Sequence, residues 1–183
     1  WAVFLYSDEK GTGKSTIANV ARALFGSENT ASINGVKKLV GRFNKNILEK
    51  KLVIAEEVQI RPNSDHGNAL KDIITSDFAT VEQKGKDTEE IQHKSCFILT
   101  TNHKPIWLEG KERRYYILHI SHDGHNQGAE YEAFKSLVKQ VNQEIADPDA
   151  LAGIYGTLMK RELPAEFDAH SLDFERHATA VMR

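Results

Sequence analysis

The chain has 183 residues, one cysteine and a formal net charge of −2, and 40% of its residues are hydrophobic and 27% charged. This length and composition predict one globular domain with a small appendage. The charge excludes a domain that coats nucleic acid broadly, so any DNA contact is expected to be local. A lone cysteine excludes an internal disulfide. Without a signal peptide or an apolar run of ~18 residues, we expect no membrane segment and a cytoplasmic location.

The first predicted strand leads into a glycine-bearing turn. The apolar run Ala2–Tyr6 precedes Ser-Asp-Glu-Lys-Gly-Thr-Gly-Lys-Ser-Thr, and a helical pattern follows. Gly11 and Gly13 let backbone N–H groups curve around phosphate oxygens, and the start of the helix attracts the same anion. Strand, loop and helix together predict a phosphate-binding loop; the alternative is a glycine-rich turn before an ordinary helix.

The predicted nucleotide-binding residues are those of the loop and of the first helical turn. Lys14 would lie along the β- and γ-phosphates, and the hydroxyl of Ser15 would enter the Mg²⁺ shell. The usual pattern has glycine where this chain has Asp8, and a carboxylate there repels phosphate unless its side chain turns outward. The complete predicted set is Gly11, Thr12, Gly13, Lys14, Ser15 and Thr16.

The next part of the chain predicts a helix, a loop and a second helical stretch. Apolar residues recur at helical spacing from Ile17 to Phe25, and Gly26 is expected to end that helix. Residues 27–36 are small and polar and predict a loop. Residues 36–49 favour a helix, although Gly41 interrupts the pattern.

Two acidic residues follow a predicted buried strand. Glu56 and Glu57 come directly after an apolar run that begins at Leu52. Ligands of open α/β sheets bind at the carboxyl ends of the strands, so both acids are expected beside the phosphate-binding loop. There Glu56 would hold Mg²⁺ through water, and Glu57 would activate the attacking water. The alternative is a solvated acidic pair.

A short helix over residues 69–75 and a β-hairpin over residues 77–94 are predicted next. The hairpin is indicated by alternating patterns on both sides of a glycine-bearing turn, which presents Lys84 and Lys86. Two exposed lysines can contact a phosphate backbone without reading bases. Such a tip is more often merely a solvated turn.

An asparagine and an arginine pair flank the last two predicted strands. Asn102 ends the apolar strand over residues 95–101, where its amide can contact the γ-phosphate or the attacking water, although asparagine is also a common turn former. Arg113 and Arg114 precede the strand over residues 115–120. A guanidinium matches phosphate oxygens, but adjacent strand residues face opposite ways, so at most one arginine points at a given nucleotide.

Three histidines and two amphipathic helices complete the chain. His119, His122 and His125 are spaced by three, but no helical pattern supports this spacing, so exposed loop positions are expected rather than a metal site. Beyond Gly128 two helices are predicted, and Asp147 is expected to cap the second. We therefore expect an α/β ATPase core and a C-terminal helical segment, over residues 1–125 and 126–183.

The order of these motifs resembles the superfamily III helicases, a branch of the AAA+ ATPases, and particularly the C-terminal ATPase unit of phage and plasmid primase-helicases. The resemblance rests on residues 11–16, Leu52–Glu57, the Thr-Thr-Asn-His-Lys-Pro run at residues 100–105, and Arg113 with Arg114. It implies an AAA+-like P-loop NTPase fold, with a parallel sheet flanked by helices and a small C-terminal helical appendage. It also implies an ATP-dependent DNA helicase that uses ATP and Mg²⁺ and moves along single-stranded DNA.

The resemblance further implies a homo-oligomeric ring, often a hexamer, with ATP at each subunit interface in an infected or plasmid-bearing bacterial cell. Arg113 or Arg114 would reach in from the neighbouring subunit, and Lys84 and Lys86 would line the channel and grip DNA. The resemblance allows a primase domain before Trp1 but does not require one. The residues that would act from one subunit are Lys14, Ser15, Glu56, Glu57 and Asn102.

Two other functions share the phosphate-binding loop. A nucleotide or small-molecule kinase would have the same loop, but we expect it to add an arginine-rich lid and an acceptor pocket. A non-hydrolysing ATP-binding assembly module is suggested by Asp8, which departs from the usual pattern.

Overall fold

A computed structural model describes residues 1–83, 85–105, 107, 114–123 and 126–165 of the chain. The strands are β1 (Ala2–Tyr6), β2 (Thr30–Asn34), β3 (Leu52–Glu56), β4 (Phe78–Val81), β5 (Glu89–Gln92), β6 (Cys96–Thr101) and β7 (Tyr115–His119). The helices are α1 (Lys14–Phe25), α2 (Lys45–Leu48), α3 (Asp65–Thr75), α4 (Gly128–Glu144) and α5 (Pro148–Met159). Five strands form a parallel sheet in the order β2-β3-β6-β1-β7, and β4 pairs with β5 in an antiparallel hairpin. The predicted α/β fold class, a parallel sheet flanked by helices, is confirmed.

Both faces of the sheet are covered. On one face Ala18 of α1 packs against Leu52 and Ile54 of β3. The other face carries the larger core, where Phe4 of β1 and Leu70 of α3 are fully buried. Successive strand residues point to opposite faces, so the continuous apolar runs of the central strands fill both cores.

The loop predicted over residues 27–36 was wrong in part, because Thr30–Asn34 forms β2. This strand pairs with β3 at the edge of the sheet, and its side chains are half-buried or exposed. An edge strand needs fewer apolar residues than a central one, so its small polar residues gave no strand pattern.

The helix predicted over residues 36–49 was also wrong for most of its length, because only Lys45–Leu48 is helical. The preceding residues form turns that are anchored by the buried side chains of Val36 and Leu39. The amide nitrogen of the Asn44 side chain donates a 2.7 Å hydrogen bond to the Leu39 carbonyl and fixes these turns. The spacing that suggested a helical face thus belongs to an anchored loop.

The remaining predicted elements are confirmed with small shifts of their ends. α1 ends at Gly26, whose φ of 83° suits glycine. α3 begins earlier than predicted, because the hydroxyl of Ser64 accepts a hydrogen bond from the Gly67 amide and caps the helix. The hairpin of β4 and β5 forms as predicted, and Asp147 caps α5 through the amide of Asp149.

The C-terminal helices lie beside α1, and both α4 and α5 contact it. The ring of Phe134 in α4 reaches Gly13 of the predicted phosphate-binding loop. The proposed division of the chain after residue 125 stays a prediction. In the part of the chain that the structure describes, no helix combines the length and apolar composition needed to cross a membrane.

Candidate nucleotide-binding site

The candidate site lies at the carboxyl edge of the parallel sheet. β3, β6 and β1 are neighbours in that order, so the segments that leave them emerge side by side. Backbone hydrogen bonds join these exits: the Ser7 amide donates to the Thr101 carbonyl over 3.2 Å, and the Val58 amide donates to the Thr100 carbonyl over 2.8 Å. The phosphate-binding loop, the acidic pair and Asn102 therefore follow three adjacent strands, which is the usual position of ligand sites in such sheets.

The phosphate-binding loop turns sharply at two glycines. Gly11 and Gly13 have φ angles of 75° and 89°, a left-handed conformation that side chains disfavour. Gly13 is the residue before α1, and its carbonyl accepts the hydrogen bond from the amide of Ile17. The helix thus starts at Lys14, where its N-terminal amides face the loop, an arrangement that suits an anion.

The side chain of Lys14, the first residue of α1, reaches back into the loop. This side chain is buried with a relative exposure of 8%, and its ammonium donates to the Thr12 hydroxyl over 3.0 Å and to the Glu9 carbonyl over 3.3 Å. Burial lowers the pKa of Lys14 from its ordinary value. Thr12 is also buried, Ser15 is exposed and Thr16 is half-buried at the start of α1. The buried ammonium of Lys14 therefore contacts two neutral oxygens, and the oxygens of a bound anion can take their place.

The side chain of Asp8 is held on the β7 side of the loop. The hydroxyl of Tyr6 donates to its Oδ1 atom, and its Oδ2 atom lies 3.7 Å from Nε2 of His119. Burial, followed by the hydrogen bond to Asp8, raises the pKa of Tyr6 to about 12. The sequence suggested no role for Tyr6. It placed His119 both in the predicted strand over residues 115–120 and among three exposed-loop histidines, and His119 ends β7. The position of Tyr6 directly before the loop was the sequence feature that could have indicated its contact with Asp8.

The two predicted acidic residues differ in backbone conformation. Glu56 ends β3, is half-buried, and accepts a 2.6 Å hydrogen bond at its carbonyl from the Gly35 amide. Glu57 is exposed and has a φ of 52°, which is uncommon for a residue with a side chain. Glu57 therefore lies in a left-handed turn directly after β3, and both acids lie at the carboxyl edge of the sheet. Backbone strain of this kind is often found at functional sites.

Asn102 follows β6, directly between the exits of the other two strands. It is half-buried, and the next residue is fixed by a 3.1 Å hydrogen bond from the His103 amide to the Thr101 hydroxyl. Because β6 pairs with both β1 and β3, Asn102 has the phosphate-binding loop on one side and the acidic pair on the other. This position suits contact with a triphosphate or with the water that attacks it.

Arg114 lies at the amino ends of the strands, on the side of the sheet away from the candidate site. It directly precedes β7, and its carbonyl accepts a 3.0 Å hydrogen bond from the amide of Ala2 at the start of β1. The phosphate-binding loop begins after the far end of β1, about 16 Å away for a strand of this length. The structure thus separates Arg114 from the loop of its own chain. Arg113 lies outside the described residues.

The predicted DNA-contacting lysines belong to the hairpin turn. Lys86 is exposed, and its amide donates to the carbonyl of Gln83 across the turn over 3.0 Å. Lys84 lies outside the described residues. The turn end of the hairpin is joined to the segment before β3 by two ion pairs. Arg42, before α2, pairs with Glu82 at 3.0 Å, and Lys45 of α2 pairs with Glu89.

The sheet and its flanking helices define an α/β protein with a P-loop-like fold. Residues 5–114, more than half of the chain, match the model of a family of unknown function, DUF5906. The chain belongs to this family. No curated protein matches the chain.

Solved structures of the apo C-terminal region of NrS-1 share this fold. Three of them are 21% identical to this chain, with TM-scores of 0.56, 0.60 and 0.60. The matches cover 76%, 76% and 83% of this chain but only 33%, 35% and 36% of the other chains. This chain therefore spans about a third of the length of the structures it resembles.

Proposed function

We propose that this chain is the ATP-hydrolysing motor of a DNA replication protein, and that it moves along single-stranded DNA as a helicase. The observation that carries the proposal is the adjacency of β3, β6 and β1, which brings the acidic pair, Asn102 and the phosphate-binding loop to one edge. The motif order, which resembles that of superfamily III helicases, and the shared fold with the NrS-1 region support the same function.

The loop would bind the triphosphate through its backbone amides and Lys14. In the structure the Lys14 ammonium contacts the Thr12 hydroxyl and the Glu9 carbonyl, and these bonds would be exchanged for bonds to β- and γ-phosphate oxygens. Charge-assisted bonds to phosphate are stronger than bonds to neutral oxygens, so the exchange is favourable. The positive end of α1 would add to the attraction.

The other edge residues would support hydrolysis. The Ser15 hydroxyl and the Glu56 carboxylate are hard oxygen donors of the kind that Mg²⁺ prefers, and bound Mg²⁺ would neutralise charge on the phosphate oxygens. Glu57 would accept a proton from the attacking water, while Asn102 holds that water or the γ-phosphate. The new oxygen–phosphorus bond forms as the bond to the bridging oxygen breaks, which yields ADP and inorganic phosphate.

Arg114 would act on the nucleotide of a neighbouring subunit. It lies a strand length from its own loop, whereas an arginine that stabilises the transferred phosphate must contact it. A homo-oligomeric ring, with six subunits the expected number, would bring it to the next site. Arg113 is the alternative arginine, and Lys86 with Lys84 would face DNA in the channel.

Phosphate release by the purified chain, with and without single-stranded DNA, tests the proposal. We expect Mg²⁺-dependent hydrolysis of ATP that DNA stimulates, and we expect Glu57→Gln to lower kcat about a hundredfold or more while ATP still binds. The matched control is Glu144→Gln, an exposed glutamate at the end of α4. Phosphate transfer to a nucleoside without hydrolysis would indicate a kinase, and binding without turnover would indicate an assembly module.

A further inference from the structure

The phosphate-binding loop contains two carboxylates, and both are engaged near the end of β7. Asp8 accepts the hydroxyl of Tyr6 and lies 3.7 Å from His119. The Oε2 atom of Glu9 accepts a 3.3 Å hydrogen bond from the amide of His122. Free carboxylates in this loop would repel the phosphates of a ligand. Their contacts instead direct them to the β7 side, whereas the Lys14 ammonium contacts Thr12 and the Glu9 carbonyl.

Tyr6 is fixed by the sheet and not by the loop. It is 3% exposed, pairs with His119 in the β1–β7 ladder, and accepts a 2.8 Å backbone hydrogen bond from Ile120. The rings of Tyr6 and His119 are stacked, with centroids 5.0 Å apart and an interplanar angle of 27°. The hydroxyl therefore contacts Asp8 at a position that is defined by the pairing of β1 with the edge strand β7. With a pKa of about 12, Tyr6 remains a hydrogen-bond donor at neutral pH.

We propose that Tyr6 and His119 form a clamp on the carboxylate of Asp8, and that this clamp keeps the negative charge of Asp8 away from the bound phosphates. Tyr6 and His119 are positioning residues, because they act through Asp8 and not on the nucleotide itself. The clamp lets the loop work without the glycine that is usual at this position. The inference rests on the proposed function, since it concerns the affinity of the same loop for a triphosphate.

The test is a double-mutant cycle on Mg·ATP binding, measured by calorimetry. Tyr6→Phe keeps the ring and its stacking but removes the hydroxyl, so the charged Asp8 side chain can turn toward the phosphates. We expect this variant to bind Mg·ATP about tenfold more weakly, and Asp8→Asn to bind it at least as tightly as the wild type. In the double variant, Asp8→Asn is expected to restore the affinity, because the released side chain no longer carries charge.

Rescue separates a clamp from a general structural role. Equal weakening by Tyr6→Phe in the wild type and in the Asp8→Asn background would overturn the proposal, and so would unchanged affinity in Tyr6→Phe. Tyr155→Phe, at an exposed tyrosine of α5, is the matched control and is expected to bind Mg·ATP normally.

A second measurement tests the contact between Tyr6 and Asp8 independently of nucleotide binding. A Tyr6 hydroxyl bonded to Asp8 exchanges slowly with water, so we expect its proton resonance by NMR in the wild type and its loss in Asp8→Ala. Persistence of that resonance in Asp8→Ala would overturn the clamp whatever binds to the loop. A wild-type chain that shows the resonance but binds no Mg·ATP would contradict the proposed function and leave only the contact between Tyr6 and Asp8 supported.

Discussion

The ring of Phe134 lies against Gly13, with its Cζ atom 3.4 Å from the point that a Cβ atom on this glycine would occupy. Phe134 belongs to α4, whereas Gly13 ends the phosphate-binding loop. The ring of His122 packs edge-to-face against Phe134, with centroids 5.1 Å apart. Helix α4 therefore packs directly against the loop, and the loop has little space for a larger residue at this point.

Gly13→Ala is expected to destabilise the chain and to weaken Mg·ATP binding. The φ of 89° costs a residue with a Cβ about 1–2 kcal/mol, and the new methyl group would also touch Phe134. Urea unfolding and calorimetry measure the two effects. Gly153→Ala is the matched control in α5, where a Cβ meets nothing within 4 Å and alanine is favoured by up to about 1 kcal/mol. A Gly13→Ala variant as stable as the wild type would contradict this account.

Lys14→Met and Arg114→Ala are each expected to abolish ATP hydrolysis, and their mixture is expected to regain part of it. Lys14 would serve the site of its own chain, whereas Arg114 would serve that of a neighbour. In a random ring of equal parts, about a quarter of the interfaces combine an intact lysine with an intact arginine. Phosphate release by the mixture measures this recovery. No recovery, in an assembly shown to exchange subunits, would place both residues in one subunit's site.

Lys86→Ala is expected to weaken binding to single-stranded DNA and to reduce its dependence on salt. Lys86 is exposed at the hairpin turn, and each lost phosphate contact lowers the slope of log affinity against log salt by about 0.7. Fluorescence anisotropy with a labelled oligonucleotide at several salt concentrations gives this slope. Lys160→Ala, an exposed lysine after α5, is expected to bind DNA like the wild type. An unchanged slope for Lys86→Ala would remove the hairpin from the DNA contact.

His93 is expected to make the chain less stable in mild acid. The ring is 5% exposed, and neither of its nitrogens has a hydrogen-bond partner among the described residues. Burial lowers the pKa of His93 from 6.5, although nearby Asp77 opposes the shift. The unfolded chain therefore binds a proton below pH 6.5 that the folded chain accepts only at lower pH, and stability falls through this window as the pH falls.

Urea unfolding between pH 7.5 and the lower limit of reversibility measures this dependence, which His93→Leu is expected to reduce. His66→Leu, at an exposed histidine of α3, is the matched control and is expected to keep the wild-type profile. An identical pH profile for wild type and His93→Leu would show that another group governs stability in acid.

The sequence predicted the central strands well, because a strand buried on both faces needs a continuous apolar run. Residues 52–56 and 96–101 have such runs. The glycines before α1 correctly predicted the turn that precedes this helix. The edge strand Thr30–Asn34 escaped prediction because it is half-exposed and polar. Its local sequence does not indicate that it pairs with β3.

The sequence predicted which strand ends form the candidate site, but not the contacts between side chains from different strands. Adjacency of the loop, Glu56 and Asn102 follows from a parallel sheet with ligand groups at strand ends, a general rule that needs no tertiary detail. The contact between Asp8 and His119 was not predictable, because these residues are far apart in sequence and meet only through the pairing of β1 with β7. Spacing along the chain carries no information on such a meeting.

The pairing of β1 also determines when this protein can acquire its final shape. Its two partners are β6 and β7. The backbone of Ala2 therefore cannot pair until Phe97 and Tyr115 have been synthesised, long after Ala2 itself. Such distant pairings slow folding, and the apolar β1 has no strand partner until β6, which ends at Thr101, has been synthesised. We therefore expect fragments that stop before β6 to expose an unpaired apolar strand and to aggregate.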